Sequence, residues 1–162
     1  MQNFRRSCTF KTMKLAAHPF VGAALVAQKV FVFGTLKRGF PLHDQGLSVA
    51  TFLGLYRTRR RYPLLIAGPW FAPMLFNEPG MGCQVMGELY EVDDKTVEKL
   101  DGLESVGEPG NFRAAIEVEP IEGGPPCFAL AYMKARELAD PVHSDHLQVY
   151  EDWRFIPFDQ RP

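Results

Sequence analysis

The sequence predicts a compact, mostly antiparallel β-barrel with one helix packed against it, and three observations carry that prediction. Seven short runs rich in β-branched and aromatic residues recur along the chain, one segment alone has clear helical spacing, and Gly/Pro clusters punctuate the gaps. Many short strands and few helices are best accommodated by a barrel, which leaves few sheet edges open. The chain has 162 residues, the length of one domain. A domain of this size buries about 70% of its extended surface, so it needs neither metal nor disulfide to fold. Hydrophobic residues at 46% and charged residues at 23% match a globular protein, and 13 Phe with 13 Pro suit a β-rich core with many turns.

Residues 1–28 differ from everything after them. They hold Arg5, Arg6, Lys11 and Lys14 and no acid, so they carry +4 of a formal net charge of -1 and the rest carries -5; the first acid is Asp44. A basic, acid-free, Ser-containing segment has the composition of an organelle transit peptide, and it equally fits a disordered extension or an upstream start before Met13. The expected organisation is an N-terminal extension over 1–28 and one domain over 29–162 ending in a tail. The apolar stretch from Leu15 to Ala27 is broken by His18-Pro19 and is too short to cross a bilayer, so no membrane span is expected.

Lys29-Val30-Phe31-Val32-Phe33 predicts a buried strand bounded by Gly34. Further strands are expected at Ser48–Leu55, Leu64–Ile66, Pro73–Phe76, Val85–Val92, Arg113–Val118 and Cys127–Met133. A helix is expected over Asp93–Leu103, because Asp93 or Asp94 can cap it and Val97, Leu100 and Leu103 share one face. Turns fall at Ala67-Gly68-Pro69, Glu78-Pro79-Gly80 and Gly123-Gly124-Pro125-Pro126. Asp140–Pro162, polar and aromatic, is expected to wrap the domain as a loop or tail.

Several chemistries can be excluded. Near-neutral charge argues against a dedicated nucleic-acid binder, and Arg57-Thr58-Arg59-Arg60-Arg61 suits a solvated strand edge better than an RNA or phosphate site. Gly34-Thr35-Leu36-Lys37-Arg38-Gly39 follows a strand, but Phe40-Pro41 stand where a phosphate loop needs Lys and Ser/Thr. His143 and His146, with Asp140 and Asp145, match no metal-site template. Cys8, Cys83 and Cys127 are odd in number and lack C-x-x-C spacing, which fits buried unpaired thiols in a reducing compartment. The expected location is therefore the cytoplasm, or the mitochondrion if residues 1–28 are a transit peptide.

Glu104 is the candidate for acid–base chemistry. It ends the helical stretch Leu100-Asp101-Gly102-Leu103-Glu104, where the helix dipole already disfavours negative charge. On one reading it is a surface acid. On the other, a carboxyl kept there beside apolar groups has a raised pKa, which a general base needs.

Four stretches then occur in order: Val30-Phe31-Val32-Phe33-Gly34-Thr35-Leu36-Lys37-Arg38-Gly39, Tyr62-Pro63-Leu64-Leu65-Ile66-Ala67-Gly68, Gly87-Glu88-Leu89-Tyr90-Glu91-Val92 and Leu100-Asp101-Gly102-Leu103-Glu104. Together they resemble the gamma-glutamylcyclotransferase-like family, most closely its members that act on γ-glutamylamines, from about Lys29 to Met133 and more loosely to Phe158. The resemblance implies an α+β fold, a small mixed β-barrel with flanking helices. It implies an enzyme that releases an amine from a γ-glutamyl amide and closes the glutamyl part into 5-oxoproline, with no metal or organic cofactor. The implied catalytic acid/base is Glu104, and the implied substrate loop is Phe33, Gly34, Thr35 and Leu36. Phe33 and Phe112 stand where the family usually has Tyr, and each removes one hydroxyl while keeping the shape. The same chemistry on γ-glutamyl amino acids or glutathione is an alternative, as is a non-catalytic relative that keeps the pocket for a small ligand.

Overall fold

The computed structural model describes residues 26–162. The expected extension 1–28 therefore lies outside the described residues except for its last three, and Cys8 lies outside them too. The elements in order are β1 (Gln28–Val32), α1 (His43–Leu47), β2 (Thr51–Thr58), β3 (Leu64–Ala67), β4 (Ala72–Leu75), β5 (Met86–Val92), α2 (Asp94–Leu103), β6 (Asn111–Pro120) and β7 (Cys127–Lys134). Two single 3₁₀ turns follow, Arg136–Leu138 and Phe158–Gln160. Residues 135–162 are otherwise irregular and form a strap across the barrel.

All seven expected strands form, but they do not share one sheet. Five close a barrel in the order β1-β5-β2-β6-β7, and β3 and β4 make a separate two-stranded hairpin. The barrel is mixed because β1 runs antiparallel to β5 and parallel to β7, with Val30 opposite Leu130 at the closure. The expected strand Ser48–Leu55 begins instead at Thr51, because α1 and the turn after it occupy the preceding residues. Helix α1 was not expected. Only five residues long, it is held by packing, with Gly46 set so close to Leu100 and Leu36 that a Cβ there would come within 2.9 Å of both.

Period-two alternation along the strands divides the buried side chains into two clusters in and around the barrel and a third, of Leu65, Ala67, Met74 and Phe76, on the hairpin. On β1, Phe31 joins Leu89, Ile116, Val118, Ala129, Ala131 and Met133 inside the barrel. Val30 and Val32 point the other way, into an outer cluster with Tyr90, Tyr132 and the helix residues Leu47, Val97 and Leu100. Helix α2 starts as the sequence implies, with the Asp93 carboxylate accepting from the Thr96 N–H at 2.8 Å. Hydrogen bonding from Thr96, first from its side chain and second from this N–H, holds the Asp93 carboxyl below its usual range.

The arginine-rich run is not a strand edge, which corrects that expectation. Barrel closure places β2 between β5 and β6, and Arg57 and Arg59 pair with Glu119 and Glu117 on β6 at 2.9 and 3.0 Å. Cross-strand charge pairing takes two of the four arginines, Arg61 donates to the Gly82 carbonyl at 2.7 Å, and Arg60 is solvated. His143 is also structural. Its Nε2 lies 2.9 Å from the Gly68 carbonyl oxygen, and its ring packs 4.3 Å from that of Phe71. Among the described residues no group of His, Cys, Asp or Glu is arranged to hold a metal ion, and no helix is long and apolar enough to cross a membrane. Among the described residues Cys83 and Cys127 form no disulfide, and both are half-buried, more open than expected.

The strap completes the hairpin. Strand β3 pairs with β4 on one side only, and on the other its carbonyls accept from the strap: His143 N–H to Ile66 and Leu147 N–H to Leu64, both at 2.8 Å. Backbone groups that would have been left unpaired at a sheet edge are thereby satisfied.

Candidate active site

A cavity of about 760 Å³ opens between the barrel, the hairpin and the strap. Glu104, Phe33, Gly34, Thr35 and Leu36 all line it, so the acid and the loop singled out from the sequence stand around one space.

The loop leaves β1 at once and turns tightly. The Lys37 N–H donates to the Gly34 carbonyl and the Leu42 N–H to the Thr35 carbonyl, both at 3.0 Å. Among the described residues the N–H groups of Thr35 and Leu36 have no such acceptor, although both residues are about 95% buried. Buried, unused N–H groups on a tight turn beside a cavity suit an anionic oxygen. Phe33 packs into the barrel core, its ring 6.3 Å from that of Phe31. The glycine has a second reason to be there. A Cβ on Gly34 would lie 2.5 Å from Pro73 Cγ, so close approach of β4, not of substrate alone, requires glycine.

Glu104 is fixed by the way α2 ends. It caps the helix, and Ser105 beyond it has φ 56°, the left-handed conformation usually given to glycine. The Ser105 N–H then donates to the Gly102 carbonyl and the Val106 N–H to the Asp101 carbonyl, which are the two bonds of a Schellman motif. A serine held at positive φ costs energy that the surrounding structure must over-determine, and such strain clusters at functional sites.

The carboxylate is not isolated among apolar groups, which corrects the expectation from its neighbours in the chain. Lys134 Nζ lies 3.4 Å from Glu104 Oε2 and donates to the Glu104 carbonyl oxygen at 3.2 Å and to Asn111 Oδ1 at 2.8 Å. The two charged side chains are only 16% and 17% exposed. This group arises from sheet register. Asn111 at the start of β6 faces Lys134 at the end of β7, and Lys134 shares the face of Tyr132, over which α2 packs. Beside it, the Tyr132 hydroxyl donates to Asp101 at 2.9 Å and Arg113 pairs with the same carboxylate at 2.6 Å. Burial, more than the Asp101 carboxylate, pushes the Tyr132 phenol far above its usual range, so it stays a hydrogen-bond donor.

Sequence reasoning missed Lys134, Asn111 and Tyr132 because their role depends on strand pairing. It also missed the far wall, made by Trp70 and the strap residues Asp159 and Arg161. One signal was available: Lys134 immediately follows an apolar strand, a place where a cation can reach back over the sheet.

The chain is similar to known proteins over most of its length. The sequence model of the gamma-glutamyl cyclotransferase, AIG2-like family matches residues 30–155. Gamma-glutamylaminecyclotransferase of Bos taurus is 39% identical over 127 residues, covering 75% of this chain and 74% of its own length. The protein of the same name from Rattus norvegicus is 36% identical over 138 residues, covering 80% of this chain and 85% of its own. The crystal structure of an AIG2-like protein from Mus musculus superimposes with a TM-score of 0.71 at 32% identity, covering 83% of this chain and 99% of that one.

Proposed function

This chain belongs to the gamma-glutamyl cyclotransferase, AIG2-like family, and from that premise we propose that it is a gamma-glutamylamine cyclotransferase, releasing a free amine and 5-oxoproline from compounds such as Nε-(γ-glutamyl)-lysine. The observation that carries the reading is the partly buried Glu104 carboxylate, held by Lys134, on the same cavity as the unused N–H groups of the Gly34 loop.

The reaction is a transfer within one molecule. Glu104 takes a proton from the substrate's α-ammonium, and the freed nitrogen attacks the γ-carbonyl carbon. A five-membered ring forms with a negatively charged oxygen, which the Thr35 and Leu36 N–H groups are suited to receive. The carbon–nitrogen bond to the leaving amine then breaks as Glu104 returns that proton to the amine nitrogen. The ring nitrogen still carries one proton more than the product and loses it through Glu104 to the released amine, which departs as an ammonium. No water, electron or second substrate enters the balance, so the residues of the chain suffice and no cofactor is invoked. Because nucleophile and electrophile belong to one substrate, the protein chiefly has to hold the glutamyl chain folded. Such positioning supplies about 7–11 kcal/mol of a barrier. Lys134 keeps the Glu104 carboxylate aimed, and Asn111 keeps Lys134 in place.

We place the reaction in the cytoplasm, a reading supported by the free thiols of Cys83 and Cys127. Residues 1–27 are an extension outside the catalytic domain, one residue short of the expected boundary because Gln28 in β1 pairs with Val92. The test is to incubate the protein with Nε-(γ-glutamyl)-lysine, γ-glutamyl-alanine and glutathione and to measure 5-oxoproline. The isopeptide should be turned over fastest. Release from none of the three would favour a non-catalytic ligand-binding relative.

A further inference from the structure

The strap brings an unusual arginine to the cavity. Arg161 is partly buried and lines the far wall. Its Nε donates to the Ile156 carbonyl oxygen at 3.1 Å, and its guanidinium carbon lies 5.1 Å from the centre of the Trp70 ring. That bond uses one of five donors. Among the described residues no carboxylate pairs with it, although seven other ion pairs form. Burial holds its pKa below the usual value, so an anion beside it would relieve an existing penalty.

The substrate's own geometry says which anion. Ring closure brings the α-amine onto the γ-carbonyl carbon, so the group that deprotonates the amine and the donors that receive the γ-carbonyl oxygen must be neighbours. Glu104 and the Gly34 loop satisfy that, since Leu36 and Leu103 pack in one cluster. The leaving amine extends away from the γ-carbonyl and must occupy the remaining space, which Trp70 and the strap enclose. We infer that Arg161 receives the carboxylate of an amino-acid leaving group, such as the released lysine, with Asp159 on the same turn accepting from its ammonium. The strap thus selects γ-glutamyl compounds whose amine part carries a zwitterionic head over those with a plain alkylamine. This subsite lies beyond residue 155, where the family match ends. The inference rests on the cyclotransferase reading.

Its test compares kcat/KM for 5-oxoproline release from Nε-(γ-glutamyl)-lysine and from γ-glutamyl-n-pentylamine, which has the same chain without the head group. Arg161→Gln removes a charge-assisted, bidentate hydrogen-bonding partner for the head-group carboxylate. The ratio of the two constants should then fall about 10–100-fold, mainly through KM. Arg161→Lys should fall between. With the unaltered full-length chain, free lysine should inhibit far more strongly than n-pentylamine, a readout independent of any variant's folding. An unchanged ratio in Arg161→Gln, or equal inhibition by the two amines, would overturn the inference while leaving the cyclotransferase reading intact. Absence of 5-oxoproline from both substrates would instead sink that reading, and this inference with it.

Discussion

The two walls of the cavity are made differently. The near wall is regular structure: the turn after β1, the capped end of α2 and the paired ends of β6 and β7. The far wall is the β3–β4 hairpin and a strap in which no regular element exceeds three residues. Backbone bonds to Leu64, Ile66 and Trp70 hold the strap, together with the Lys37 ammonium, which donates to the Tyr150 carbonyl at 2.7 Å. In the proposed mechanism the chemistry shared by every γ-glutamyl substrate falls to the wall that cannot shift without breaking the barrel's ladders. The variable half of the substrate falls to the wall whose strap can change without disturbing the barrel.

Changes on the near wall should therefore act on turnover, and those on the far wall on substrate preference. The largest effect is expected from Glu104→Gln, which keeps shape but cannot accept a proton. Steady-state kcat should fall by about 10²–10⁴-fold, with substrate binding by calorimetry kept within several-fold. Glu98→Gln, an exposed acid on the same helix, is the control. Asp101 would be a poor one, since it anchors Tyr132 and Arg113. Wild-type rates from Glu104→Gln would end the mechanism.

Next in size is Gly34→Val. The added side chain meets Pro73, so the cost should appear in stability as well as rate, about 1–3 kcal/mol by denaturant titration. A variant as stable as the parent would mean that the hairpin yields easily and the walls are less distinct than described.

A third variant loosens the far wall alone. Lys37→Met leaves the buried Tyr150 carbonyl without its charged donor, at a cost of about 1.5–3 kcal/mol, partly offset because the desolvated ammonium is gone. KM for the lysine isopeptide should rise more than kcat falls. The reverse pattern would place the strap's anchor in the chemistry itself. The smallest effect belongs to Ser105→Gly. Relief of the left-handed serine is worth about 1–2 kcal/mol, and glycine's extra backbone freedom takes back part of it. The melting temperature should rise slightly with activity retained, and a drop in activity would show that the serine does more than turn the chain.

Residues 29–33, the Asp93 cap, the α2 stripe and the seven strand segments were legible because each depends on neighbours within a few positions. Alternation of period two and a capping carboxylate express local sterics and local burial. Glu104 was legible as an acid at a helix end, whereas a substrate role for the Gly34 loop came from the family resemblance and not from its residue types. No local pattern specified the five-and-two division of the strands, the parallel β1–β7 closure or the short α1, which is held by packing against Leu36 and the distant Leu100. The same holds for the site's electrostatics. Glu104 and Lys134 are 30 residues apart, and only the β6–β7 register and the seating of α2 over Tyr132 bring them to 3.4 Å. Arg161 reaches the cavity through backbone bonds to β3 and Trp70 that any sequence with a free amide could make. Local propensity is written in the order of residues, whereas which distant groups share a low-dielectric pocket follows from the pairing that buries the most surface, and in this protein tertiary structure alone decided it.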